Sequence, residues 1–209
     1  LGFFHIEETA IGAARVSLEY DKLISEHKMK NIITTACPVV VSLVEKYYPE
    51  LLSMLAPVVS PMLAHVKMMR KLYGNDIKVV FTGPCLAKKE EYRDFQNDNL
   101  VDAVLTFEEL QRWMDDEGIN FDDLNDAESC EYGQMDSRIY PVPGGILKTL
   151  KSKSSKYKYM GIDGAEQCMK ILDSLKSGRI SDYFIEMNSC KGGCINGPCI
   201  KLPEGGLLE

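Results

Sequence analysis

Two spacings alternate along the chain: short apolar, β-branched runs, and longer stretches with apolar residues every three or four positions. The first predicts strands and the second amphipathic helices. Residues 7–26 are expected to be helical, with Ile11, Ala14, Leu18 and Ile24 on one face and Thr9 as the candidate cap. Residues 31–35 form a strand, followed by a helix over 39–48 with Pro38 in its first turn. Ser60-Pro61 opens a helix over 62–73, and Gly74 stops it. Strands at 77–82 and 101–106 follow, then a helix over 107–118 that Thr106 and Glu109 start as a capping box. The acidic stretch 121–134 is expected to be a solvated loop carrying Cys130. A short helix from Gly144 to Leu150, an exposed basic turn at 151–158 and a strand at 157–160 come next. The pattern closes with a helix over 163–178 containing Cys168 and a strand at 183–187. This order gives an α/β fold with mostly parallel sheets flanked by helices.

The chain has 209 residues, 45% hydrophobic and 26% charged, which suits a soluble globular protein of one large domain or two small lobes. Its net charge of -7 and lack of a dense Lys/Arg block argue against nucleic acid as a partner. Membrane insertion is not expected, because no apolar run reaches the roughly 20 residues a bilayer requires. The first residues, Leu1-Gly2-Phe3-Phe4, include no initiator Met and no secretory signal, so a fragment of a longer protein or a processed one is expected.

The seven cysteines stand at 37, 85, 130, 168, 190, 194 and 199. An odd, scattered set is a poor disulfide framework, and reduced thiols in a cytoplasmic setting fit better. Cys37, Cys85, Cys190 and Cys194 share one context: each follows an expected strand and stands beside Pro or Gly. In Cys190-Lys191-Gly192-Gly193-Cys194 the two glycines let backbone approach a bulky group. Cys37 also precedes a helix, whose positive N-terminal end favours a thiolate or an anionic cluster. Four such thiolates suit one [4Fe–4S] cluster, while zinc also takes four cysteines and a plain glycine turn takes no metal. Spacing leaves these three readings open.

Three segments carry a resemblance: Thr34-Thr35-Ala36-Cys37-Pro38, Gly83-Pro84-Cys85-Leu86-Ala87-Lys88, and Cys190-Lys191-Gly192-Gly193-Cys194. In order and spacing they resemble the Thr-Ser-Cys-Cys-Pro, Pro-Cys-x-x-Lys and Cys-x-x-x-Cys motifs of the C-terminal, H-cluster domain of iron-only ([FeFe]) hydrogenases. The likeness runs from about Glu7 to Cys199. It implies that 1–209 is one such domain, with two intertwined lobes meeting at the cluster site. It further implies a [4Fe–4S] cubane on Cys37, Cys85, Cys190 and Cys194. Cys194 would also bridge to a two-iron subcluster, and Lys88 would donate a charge-assisted hydrogen bond to one of its cyanides.

Ala36 replaces the cysteine that relays protons in the catalytic members, and alanine carries no exchangeable side-chain proton. Gly83 stands where those members pack a methionine on the subcluster, and Asn188 stands near the place of another. The chain therefore resembles the divergent, sensory members, often joined to upstream ferredoxin-like or PAS-like domains. The implied function is redox or hydrogen sensing with weak or no hydrogenase activity. A catalytic hydrogenase fed by an upstream ferredoxin-like domain and a non-redox interaction module with a structural metal are the alternatives, and enzyme status stays open between them. Glu19 is expected on a helix surface, His5, His27 and His65 as ordinary surface or packing residues, and Met62, Met68 and Met69 in core or interface. Cys130 and Cys168 are expected to be structural, and Cys199 either incidental or a spare ligand.

Overall fold

A computed structural model describes residues 1–94, 100–120, 130–131 and 135–200. Strand β1 (Ile6–Glu7) leads into helix α1 (Ala10–Glu26), so Glu7 belongs to a strand and not to the helix. The buried face of α1 is Gly12, Ala13, Val16, Ser17, Tyr20 and Ile24, whereas Leu18 is exposed. The apolar spacing was shared between two faces, and packing selected the one with small residues. Gly12 shows why: a Cβ there would lie 2.2 Å from the Pro61 carbonyl oxygen and 2.6 Å from His65 Cβ. Helix α3 (Pro61–Tyr73) thus crosses α1 at glycine contact.

Strand β2 (Ile32–Ile33) feeds α2 (Pro38–Tyr47), whose N-cap is Cys37, and a 3-10 turn follows at Pro49–Met54. Ser60 caps α3 through the Leu63 N–H. Then come β3 (Val80–Thr82), the single turn α4 (Lys88–Glu91), β4 (Ala103–Leu105) and α5 (Phe107–Asp116). Both bonds of the Thr106/Glu109 capping box are present on α5. Strand β5 (Cys130–Glu131) falls inside the stretch expected as a loop and pairs with β1; the rest of 121–134 lies outside the described residues. A 3-10 turn (Met135–Ile139) precedes α6 (Gly145–Thr149), β6 (Lys158–Asp163), α7 (Ala165–Lys176), β7 (Tyr183–Asn188) and a last 3-10 turn (Cys194–Asn196).

All described pairings are parallel: β1 with β5, β3 with β4, and the sheet β2-β7-β6. Strand β7 is central, with Ile32 opposite Phe184 and Asp163 opposite Asn188. Both its faces are covered, as expected for parallel strands. Phe184 packs with Tyr20, Ile24 and Ile32, while Ile185 and Met187 pack with Val40, Val44 and Leu172. A third cluster joins Met62, Leu63 and Val66 of α3 to Val79, Val101 and Val104 beside β3 and β4. The two-residue β2 is shorter than the strand expected at 31–35 because the chain beyond Ile33 leaves the ladder for side-chain anchors. Thr34 N–H still donates to Ile185 O at 3.0 Å, but Thr35 N–H donates to the Tyr20 hydroxyl and Thr35 Oγ1 to Val58 O.

Candidate metal and cofactor site

The ends of β2, β3 and β7 deliver the four candidate thiols. Cys37 caps the ten-residue α2 in extended conformation and is buried. Its Thr34-Thr35-Ala36 approach is fixed by the bonds above and by Met187 N–H donating to Thr34 Oγ1 at 3.2 Å. Cys85 follows β3 and is partly exposed. Cys190 follows β7, and Gly193 N–H donates to its carbonyl at 3.0 Å. Gly193 has φ +83°, and a Cβ there would meet the Pro141 carbonyl oxygen at 2.3 Å, so the clasp closes only with glycine. Gly192 N–H donates to Asp163 Oδ2 at 2.7 Å, which ties the clasp to the end of β6.

These thiols share one electrostatic neighbourhood. Burial first, and then Cys37, Cys85 and Cys190, push the Cys194 thiol up to about 12, with Lys88 opposing. Cys190 is also raised, by burial first and then by Cys37 and Cys85. Their mutual repulsion is what a bound cationic iron centre would relieve. Among the described residues no three Cys, His, Asp or Glu side chains close round a single-ion position. The four thiols are neighbours without being one mononuclear chelate.

Beside them lies a cavity of about 570 Å³ whose wall includes Ala36, Gly83, Cys85, Lys88, Asn188 and Cys194. Whereas the neighbouring Lys89 is partly exposed, Lys88 is buried. Its Nζ lies 2.5 Å from Glu91 Oε2 and donates to Ala36 O at 3.4 Å. Glu8 and Arg138, paired at 2.5 Å, also reach this cavity. Phe81 covers the place of a side chain at residue 83: a Cβ on Gly83 would stand 3.0 Å from its ring. Met62 is core and wall at once. A second cavity of about 660 Å³ shares Thr9, Met62, Phe81 and Thr82 with the first, and holds the buried pair His65–Glu7 at 2.7 Å. Glu19 lies on the helix surface, paired with Arg15 and Lys22.

Sequence reasoning missed Glu186. It is fully buried in β7 and accepts from Leu147 N–H at 3.0 Å and Asn188 Nδ2 at 3.2 Å. Burial raises its carboxyl above the usual range despite those bonds. A lone carboxylate inside Tyr183-Phe184-Ile185-Glu186-Met187 was the available signal. Tyr20 beneath Thr35 is likewise raised by burial, to about 12. Phe81, Glu91 and Tyr140 carried no sequence motif.

The family model described as "Iron only hydrogenase large subunit, C-terminal domain" matches residues 1–198. Iron hydrogenase 1 of Clostridium pasteurianum is 29% identical over 251 residues, covering 94% of this chain. The chain spans 43% of that relative's length. A solved structure of HydA(deltaEFG), reporting stepwise [FeFe]-hydrogenase H-cluster assembly, superposes with a TM-score of 0.74 at 18% identity, covering 97% of this chain and 71% of that one. A variant of the [FeFe]-hydrogenase HydA1 from Chlamydomonas reinhardtii gives 0.74 at 17% identity, with the same coverage. The fold is shared with both. No described helix is long and apolar enough to cross a membrane.

Proposed function

The chain belongs to the iron-only hydrogenase family, matching the C-terminal domain of its large subunit, and on that premise we propose that it holds a [4Fe–4S] cluster on Cys37, Cys85, Cys190 and Cys194. We further propose that it serves redox or hydrogen sensing with little or no hydrogenase turnover. The carrying observation is that the fold brings thiols from three separate segments together beside an apolar cavity, with Cys85 and Cys194 on its wall and Cys37 and Cys85 close enough to act on Cys190 and Cys194. Zinc sites are commonly built from closely spaced cysteine pairs, whereas Cys37 and Cys85 each stand alone in the sequence, which favours the iron–sulfur group. When bound, such a cluster supplies one-electron redox chemistry.

The chain's own residues would act as follows. The four thiolates hold the irons, and the N-terminus of α2 offsets their negative charge at Cys37. The mostly apolar cavity wall would offer the bound group few competing polar contacts. Lys88, held by Glu91, presents an ammonium to an anionic ligand beside Cys85 and Cys194. At residue 36 the wall offers a methyl group where a relay needs a proton donor. The other charged groups of the wall, Glu8 and Arg138, are paired with each other. In this reading the chain's partners are upstream ferredoxin-like or PAS-like domains and a redox partner, and the protein works in the cytoplasm.

The retained cavity with Lys88 on its wall favours one second reading, a catalytic hydrogenase. Maturation with a synthetic two-iron complex and a hydrogen assay separates the two. The sensor reading expects slow turnover that Ala36→Cys raises by roughly the 10²–10⁴-fold a general acid contributes. Fast turnover in wild type, or no gain in matured Ala36→Cys, contradicts it.

A further inference from the structure

A fifth thiol stands against the site. After the last 3-10 turn, Gly197 N–H donates to Cys194 O at 2.9 Å and the chain doubles back over Pro84. A Cβ on Gly197 would lie 2.8 Å from Pro84 O, so the tail is laid flat on the residue that precedes Cys85. Cys199 N–H then donates to Pro84 O at 3.2 Å. Cys199 is buried, and Cys85 is among the groups whose charge acts on it, after burial and Glu108. Cys85 is the residue that follows the bonded Pro84, so the two cysteines stand at adjoining positions of two segments in direct backbone contact, the close approach that a disulfide, bridging Cα atoms about 4.4–6.8 Å apart, requires.

We propose that Cys85 and Cys199 form a reversible disulfide in the cluster-free protein, a latch that governs whether the site can be loaded. The linkage needs only the two thiols; its effect on loading rests on the cluster reading of Cys85. Cys85, being partly exposed, is the entry point. Its thiolate attacks a small disulfide such as oxidised glutathione, giving a Cys85–glutathione mixed disulfide and one glutathione thiolate. The Cys199 thiolate then attacks the Cys85 sulfur, closing the internal disulfide and releasing the second glutathione. Two protein thiols lose two electrons, and one oxidised glutathione becomes two reduced ones. Cys85 in a disulfide has no thiolate to offer iron. Cys168 cannot serve this way: it is fully buried, and its Sγ donates to Asn188 O at 3.5 Å.

The test uses the full chain, stripped with a chelator and incubated anaerobically with oxidised glutathione, then mapped by peptide mass spectrometry without reduction. Wild type is expected to give a Cys85–Cys199 linked peptide and to keep no glutathione at Cys85. Cys199→Ser, and Cys199→Ala as a second variant, should keep glutathione on Cys85. Retention of glutathione on wild-type Cys85, or linkage of Cys85 to Cys194 or of Cys190 to Cys194, overturns the proposal. Oxidised wild type should take up iron and sulfide only after dithiothreitol, whereas the reduced Cys199 variants should load as wild type does. If Cys85→Ser loads as fully as wild type, the cluster reading falls and the linkage stands. If Cys85→Ser fails to load and no Cys85–Cys199 linkage forms, the latch alone falls.

Discussion

Gly12→Ala tests the packing that shapes the site. Away from contacts, the change would stabilise the middle of α1 by about 1 kcal/mol, since glycine is that much poorer than alanine in a helix. Here the added methyl would lie 2.2 Å from the Pro61 carbonyl oxygen, 2.6 Å from His65 Cβ and 2.9 Å from His65 N. Two of these atoms are backbone, so no rotamer change relieves the overlap, and α3 must move away from α1. Overpacking of this kind costs about 1–3 kcal/mol, and contact with rigid backbone puts the cost at the upper end. The net loss is therefore about 2 kcal/mol, or roughly 4–8 °C in Tm for a chain of this size. Urea and thermal unfolding followed by circular dichroism would measure it. Gly161→Ala is the control, because its Cβ would meet nothing closer than 3.6 Å. A Gly12→Ala protein as stable as wild type, or more so, would refute the close crossing of α1 and α3.

Asp102 accepts from Val79 N–H at 2.8 Å and pairs with Arg70 and Lys78. Burial pushes its carboxyl up, but those partners outweigh burial and leave it below the usual range. Its stabilisation is therefore full above the unfolded-state value, about 3.9, and is lost as pH falls through the folded one. Asp102→Ala should cost about 1–2 kcal/mol near neutrality and flatten the acid limb of the stability curve; an unchanged acid limb would contradict this. Glu186 carries the opposite sign: its raised carboxyl stabilises most below the unfolded value, and that contribution is lost as pH rises through the folded one. Glu186→Gln should flatten stability across that window in urea titrations at stepped pH, and a slope as steep as in wild type would contradict it. The gain in turnover expected for matured Ala36→Cys is the functional counterpart.

Where local chemistry dominates, the sequence was legible. The Thr106/Glu109 capping box, the Ser60-Pro61 start of α3, Cys37 at the N-cap of α2 and the parallel sheets all follow from short-range rules. Ala36, Gly83, Cys85, Lys88 and Cys194 were named by motif, and they meet on one cavity wall. The buried face of α1 was not legible, because only the position of α3 makes Gly12 the contact and leaves Leu18 outside. The pairing of β5 with β1 joins segments far apart in sequence through two residues each, too short for any period to show. Burial of Lys88 against Glu91 depends on how α4 docks beside Ala36, which no single segment encodes.

Reconstitution of the reduced 209-residue chain with iron and sulfide under anaerobic conditions, read by electron paramagnetic resonance after reduction, tests the cluster claim most directly. Wild type is expected to show the signal of a reduced [4Fe–4S] cluster, and Cys37→Ser, Cys85→Ser, Cys190→Ser and Cys194→Ser should each lower it while Cys168→Ser leaves it intact. No cubane signal in wild type, or an undiminished one in those four variants, would contradict the assignment.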